Sequence, residues 1–102
     1  MTIEEARDKW EKKLWNAWDE VTHYFSISKL SPYDLQISMN KLVKMLDQIA
    51  CEGFWVKQLS HVKDKKLRGL AFVKADPEDV RMAREVYRMK YREEPWATQE
   101  SK

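Results

Sequence analysis

Glycine is nearly missing from this 102-residue chain: there are two, beside three prolines and a single cysteine. A phosphate-cradling loop or a dinucleotide fingerprint needs several backbone positions without a Cβ, so nucleotide enzymes of those types are excluded. Cys51 stands alone, which rules out an internal disulfide. With only His23 and His61 to join it, there is no cluster at metal-ligand spacing. No apolar run approaches the roughly 20 residues needed to cross a bilayer, and the start MTIEEARDKW lacks the apolar stretch of a secretory signal. The expectation is a chain without a membrane partner, cytoplasmic or, in a eukaryote, nuclear. A net excess of one charge is also missing, since 19 Lys and Arg face 17 Asp and Glu for a formal +2.

What is present is a composition 43% hydrophobic and 35% charged, with five Trp, four Tyr and three Phe. That is too aromatic for a disordered chain and suits one small globular domain. A chain of this length buries only about 60 to 65% of its unfolded surface, so it supports one modest core and not a large multi-domain enzyme. Neither histidine has a nucleophile or carboxylate at a recognisable spacing, so the expectation is no enzyme, no catalytic residue and no cofactor.

Thr2 and Glu5 form a capping-box pattern, and behind them Ile3, Ala6, Trp10, Leu14, Ala17, Trp18, Val21 and Tyr24 recur in steps of three and four. The spacing predicts a helix of about 22 residues ending near Phe25, with Glu5/Lys9 and Asp8/Lys12 as i,i+4 pairs on its wet side. Trp10 and Trp18 read as core, while Trp15 lies off the main stripe and reads equally as core or as an exposed indole. Ser31, Pro32 and Asp34 then start a second helix along Leu35, Met39, Leu42, Leu46 and Ile49. Val43, Met45 and Ala50 widen that stripe enough for two neighbours, and Gly53 stops it.

From Phe54 the period changes to two, and FWVKQLSHV and KLRGLAFVKA read as a β-hairpin about Lys63-Asp64-Lys65-Lys66. A four-residue loop sets Val62 opposite Leu67. It gathers Phe54, Val56, Leu67, Ala71, Val73 and Ala75 on one face and Trp55, Leu59, Leu70 and Phe72 on the other. A one-residue slip exchanges these faces. Asp76, Pro77 and Asp79 open a third helix reaching about Arg92, with Val80, Ala83, Tyr87 and Tyr91 as an apolar strip extended by Met82, Val86 and Met89. The fold class expected is α+β and mainly helical: helix, helix, β-hairpin, helix, a winged-helix-like single domain over 1–93 with a polar tail over 94–102. The expected core is Trp10, Leu14, Leu42, Leu46, Ile49 and Val80.

Two surface features point toward binding. The segment 57–74 carries Lys57, Lys63, Lys65, Lys66, Arg68 and Lys74 against one acid, a net of +5 that leaves −3 for the rest of the chain. Cations gathered on a hairpin beside aromatics suit nucleic-acid phosphates and stacking, and they also suit plain protection of strand edges. On the third helix Arg81, Arg84, Arg88 and Arg92 fall on one side, although like charges at i,i+4 oppose a helix. Dipole complementation accounts for Arg88 and Arg92 but poorly for Arg81.

The run from Ser38 to Trp55, with the basic hairpin and the DPED helix start, resembles the recognition helix and wing of winged-helix DNA-binding regulators of the multiple-antibiotic-resistance type over residues 38–80. The resemblance implies that Ser38, Asn40, Lys41 and Lys44 enter the major groove. It places Lys63, Lys65, Lys66 and Arg68 on phosphate or in the minor groove. The chain departs from that pattern before Ser38: Pro32 to Ile37 is too short for a separate preceding helix and turn, and the stripe from Leu35 favours one continuous helix.

Two functions follow as expectations. One is a non-enzymatic regulatory or accessory protein that binds nucleic acid, DNA among the candidates, through Ser38, Asn40, Lys41, Lys44, Lys57, Lys63, Lys65, Lys66, Arg68 and Lys74, with the arginine row of the third helix as further phosphate contacts. The alternative is an adaptor or inhibitor, a class that includes virus-encoded proteins, binding a protein partner in nucleic-acid machinery. It would use Trp15, Trp96 and the row Arg81, Arg84, Arg88 and Arg92, because Trp and Arg dominate binding hot spots.

Overall fold

Thr2 begins the first helix as the spacing requires. Its Oγ1 accepts from Glu5 N at 3.1 Å while Glu5 Oε1 accepts from Thr2 N at 3.1 Å, closing a capping box. The computed structural model describes residues 1–57 and 71–96. In it α1 spans Ile3–Ser26, α2 Pro32–Cys51, β1 Phe54–Lys57, β2 Ala71–Lys74 and α3 Pro77–Tyr91. The layout is α+β and mainly helical, helix-helix-hairpin-helix, and α2 is one continuous helix. The loop Lys63–Lys66, the Val62/Leu67 pair, Leu59, His61, Leu67, Arg68 and Leu70 lie outside the described residues, as does the tail beyond Trp96.

α1 and α2 run antiparallel: Lys9 near the start of α1 meets Glu52 just past the end of α2, and Lys41 reaches Glu20 at 3.7 Å. Between them Ala6, Trp10, Leu14, Trp15, Ala17, Leu42 and Ile49 bury one core, closed by Phe54 of β1 and Phe72 of β2. Trp15, ambiguous from spacing, is buried. Leu46 and Val80, expected in the core, are only half-buried, and Met39 and Val43 on the widened stripe of α2 are exposed. The reason is geometric. α2 does take two neighbours, but α3 covers only the part of its second face near Asp47, Ala50 and Cys51. Lys9 also leaves its expected partner Glu5, whose carboxylate is engaged by Thr2, and pairs with Glu52 instead.

The strands pair antiparallel, Phe54 with Lys74, Trp55 with Val73, Val56 with Phe72 and Lys57 with Ala71. This is one residue away from the pairing expected of a four-residue loop, so Phe72 joins Phe54 and Val56 while Ala71 and Val73 join Trp55. Burial decides the register: Phe54 and Phe72 both belong to the core, and only this pairing puts them on one face. Gly53, at φ +102°, makes the turn from α2 into β1, a conformation that strains any residue with a Cβ. Among the described residues no helix is long and apolar enough to cross a membrane.

Candidate functional site

α3 lies antiparallel on α2 and uses its two flanks differently. Its inner strip is stitched to α2 by Tyr91, whose hydroxyl donates to Asp47 Oδ2 at 2.8 Å, and by Lys90 Nζ on the same oxygen at 3.1 Å. Hydrogen bonding to Tyr91, and then to Asp47, raises the Lys90 ammonium above its usual pKa, and burial pushes the Tyr91 and Tyr87 phenols up. Lys44 stands 5.0 Å over the Tyr91 ring and 3.2 Å from Glu93.

On one flank the arginine row meets the end of the chain. Arg92 caps α3 in the left-handed conformation, φ 57° and ψ 36°, and turns the backbone back on itself. Trp96 thereby lands on Tyr87, ring centroids 5.6 Å apart and nearly perpendicular, in a second small core with Cys51. Arg84 and Arg88 stand 5.3 and 5.7 Å over the indole, close enough for cation–π attraction. Arg84 Nε donates to the Cys51 carbonyl at 3.0 Å, and Arg88 pairs with Glu94. Burial in this cluster pushes the Cys51 thiol up to about 11. Arg81 is held by Glu78 and, at 3.7 Å, by Glu85. Residues 94–96, read as the start of a polar tail, are thus packed through Trp96 against α3. Trp15 and Trp96 are both covered by the chain itself, and half of the arginine row is occupied with the second.

The other flank of α3 is bare. Met82, Val86 and Met89, expected to extend the apolar strip, are 52, 57 and 79% exposed. At about 100° per residue they sit to one side of the Ala83–Tyr87–Tyr91 strip, where α2 does not reach. Beside them Trp55, 41% exposed, leans from β1 over a shallow cavity of about 320 Å³ lined also by Ala50, Ala83 and Asp79. Sequence reading missed this face because periodicity identifies an apolar stripe without saying how much of it a neighbour covers. A stripe running Met82, Ala83, Val86, Tyr87 and Met89 is wider than one helix contact fills, which was the available signal.

The residues expected to touch DNA are dispersed. Ser38 is 1% exposed and its Oγ donates to the Leu35 carbonyl at 2.8 Å. Asn40 Oδ1 accepts from Gln36 Nε2 at 3.0 Å, while Lys41 and Lys44 face Glu20 and Glu93. Lys57 and Lys74 are exposed at opposite ends of the strand pair. Lys63, Lys65, Lys66 and Arg68 are outside the described residues. Among the described residues, no three His, Cys, Asp or Glu side chains are grouped to hold a metal ion.

Compared with known proteins, the chain matches no family model, no curated protein and no solved structure. The likeness to winged-helix regulators therefore rests on its residues alone.

Proposed function

We propose that the chain is a non-enzymatic protein-binding module, of the adaptor or inhibitor kind, and that the polypeptide it holds docks as a helix on the bare face of α3 beside Trp55. One observation carries this reading: Met82, Val86 and Met89 stand exposed in steps of four and three next to an exposed tryptophan and a shallow apolar cavity. Contiguous apolar surface of this kind is unfavourable in water and suits an amphipathic helix whose own anchors repeat every three or four residues. The arginine flank, with Arg84 and Arg88 engaged by Trp96, has less to offer a partner.

The test is a ¹⁵N NMR titration of the full chain, at the lowest workable protein concentration, with an uncharged amphipathic peptide bearing leucines at i, i+4 and i+7. Saturable shifts at the Trp55 indole and at Met82, Val86 and Met89, abolished by Val86→Glu, are the expected result. Absence of shifts from a chain that is monomeric at that concentration, or shifts that Val86→Glu leaves unchanged, contradicts the reading.

A second reading, nucleic-acid binding by the strand pair, is favoured by exposed Lys57 on the same face as Trp55, with Lys74 exposed on the opposite face. Fluorescence anisotropy against single-stranded and duplex DNA at several salt concentrations tests it. Each lysine engaged with a duplex phosphate contributes about 0.9 to the salt slope, so Lys57→Gln with Lys74→Gln should flatten it by up to about 1.8. An unchanged slope removes those two residues from the interface.

A further inference from the structure

The bare face of α3 carries a pattern that matches its own reverse. Met82 and Met89 are equally far from the point between Glu85 and Val86. At about 100° per residue, Asp79 and Lys90 fall on one side of the Met82–Val86–Met89 row, and Glu78 and Arg92 fall on the other. The midpoint of each acid–base pair lies within one residue of Glu85. In an antiparallel pair of identical helices related by a twofold axis, like flanks meet and residues equidistant from the axis face each other. One axis beside Glu85 then sets Met82 against the partner's Met89, Asp79 against the partner's Lys90 and Glu78 against the partner's Arg92, each twice.

We propose that the occupant of this face is a second copy of the chain, joined α3 to α3 in antiparallel about that axis. The inference rests on the reading of this face as a protein-contact surface and names its partner. Charge complementarity is the reason to choose a copy over a foreign helix: the face is acidic at the start of α3 and basic at its end, and reversing the helix makes the two ends match. Arg92 forms no ion pair among the described residues, and neither does Asp79, although the remaining charged residues of α3 are engaged within the chain. Shape agrees with charge. Met89 is the most exposed methionine of α3, and the axis carries the partner's Met89 to the shallow cavity of Trp55, Met82 and Val86, where a thioether packs well against an indole. Glu85 approaches its own copy near the axis, and Arg81 at 3.7 Å offsets that repulsion. A contact built mainly on one 15-residue helix is small, so the dimer is weak, with a dissociation constant on the order of 10 to 100 μM.

Sedimentation equilibrium of the full chain up to about ten times the upper end of that dissociation-constant range decides the matter, with circular dichroism confirming that each variant is folded. The wild type should pass from monomer to dimer with concentration, and Val86→Glu should stay monomeric. Glu78→Arg alone and Arg92→Glu alone should each weaken association up to about tenfold, as two exposed ion pairs turned repulsive. The double variant Glu78→Arg/Arg92→Glu should restore it. Failure of that rescue overturns the antiparallel pairing. A wild type that stays monomeric throughout but still takes the leucine peptide overturns the second copy alone. If the chain neither self-associates nor takes the peptide, the contact-surface reading itself is overturned. A dimer that Val86→Glu leaves intact overturns the proposal by placing the contact elsewhere.

Discussion

Leu14 and Trp96 are both buried, but by different means. Leu14 sits where two long amphipathic helices repeat the same contact turn after turn, so its neighbours Trp10, Ala17, Leu42 and Ile49 follow from spacing along the chain. Trp96 reaches Tyr87 and Cys51 through a single left-handed residue, Arg92, and is closed over by Arg84 and Arg88. The first region is held by repetition and the second by a few individual contacts. Losing a member should therefore leave a hole in the first and release a short strap in the second.

That contrast breaks most sharply on truncation. Leu14→Ala should cost about 3 to 5 kcal/mol in urea unfolding, because a fully enclosed site between two helices cannot collapse around the lost atoms. Trp96→Ala should cost about 2 to 3 kcal/mol, the burial of one large side chain, because the strap can detach without a cavity forming in the main core. It should also expose the Cys51 thiol, so alkylation at mildly alkaline pH should accelerate. A Trp96→Ala cost equal to that of Leu14→Ala would show that the two clusters are one cooperative core.

Alkaline pH should act on the second region selectively. The Cys51 thiol is raised from 9.0 to about 11 by burial, and the Tyr87 phenol is raised as well. Between 9.0 and about 11 the unfolded chain loses the Cys51 proton while the folded chain keeps it. Stability is thus fully present below the unfolded value and is lost as pH rises through the folded one, by up to about 2 kcal/mol for the thiol. Melting temperature followed across that window should fall, and Cys51→Ala should flatten the fall. The smallest effect belongs to Arg84→Lys. The charge is kept, but the Nε donor to the Cys51 carbonyl and the guanidinium's place over the Trp96 ring are lost, for about 1 kcal/mol. A neutral result would mean that simple charge suffices to hold the strap.

The same contrast explains which parts were legible beforehand. Element order, the Thr2 capping box, the start at Pro32, the stop at Gly53 and the Pro77 start of α3 follow from local chemistry, and all were readable. The strand register was not, because it is set by which aromatic reaches the core, and the alternation FWVK against AFVK permits either face. The candidate site was half legible. The arginine row and the wide apolar stripe of α3 were both visible, yet their partners were not: Trp96 lies beyond a proline in a polar segment, so nothing local announces that Arg84 and Arg88 turn toward it. Met82, Val86 and Met89 read only as an extension of the apolar strip, because periodicity cannot tell a covered stripe from a bare one.

The central claim is that α3 turns Arg84 and Arg88 toward its own Trp96 and its methionines toward another chain. A ¹⁵N NMR dilution series of the wild-type chain tests this most directly, since it reports both flanks at once. With rising concentration the amides of Met82, Val86 and Met89 and the Trp55 indole should shift together and saturate, while the Trp96 indole and the Arg84 and Arg88 side chains stay in place. Shifts centred on Trp96 and the arginines, with the methionine face unmoved, would contradict the account.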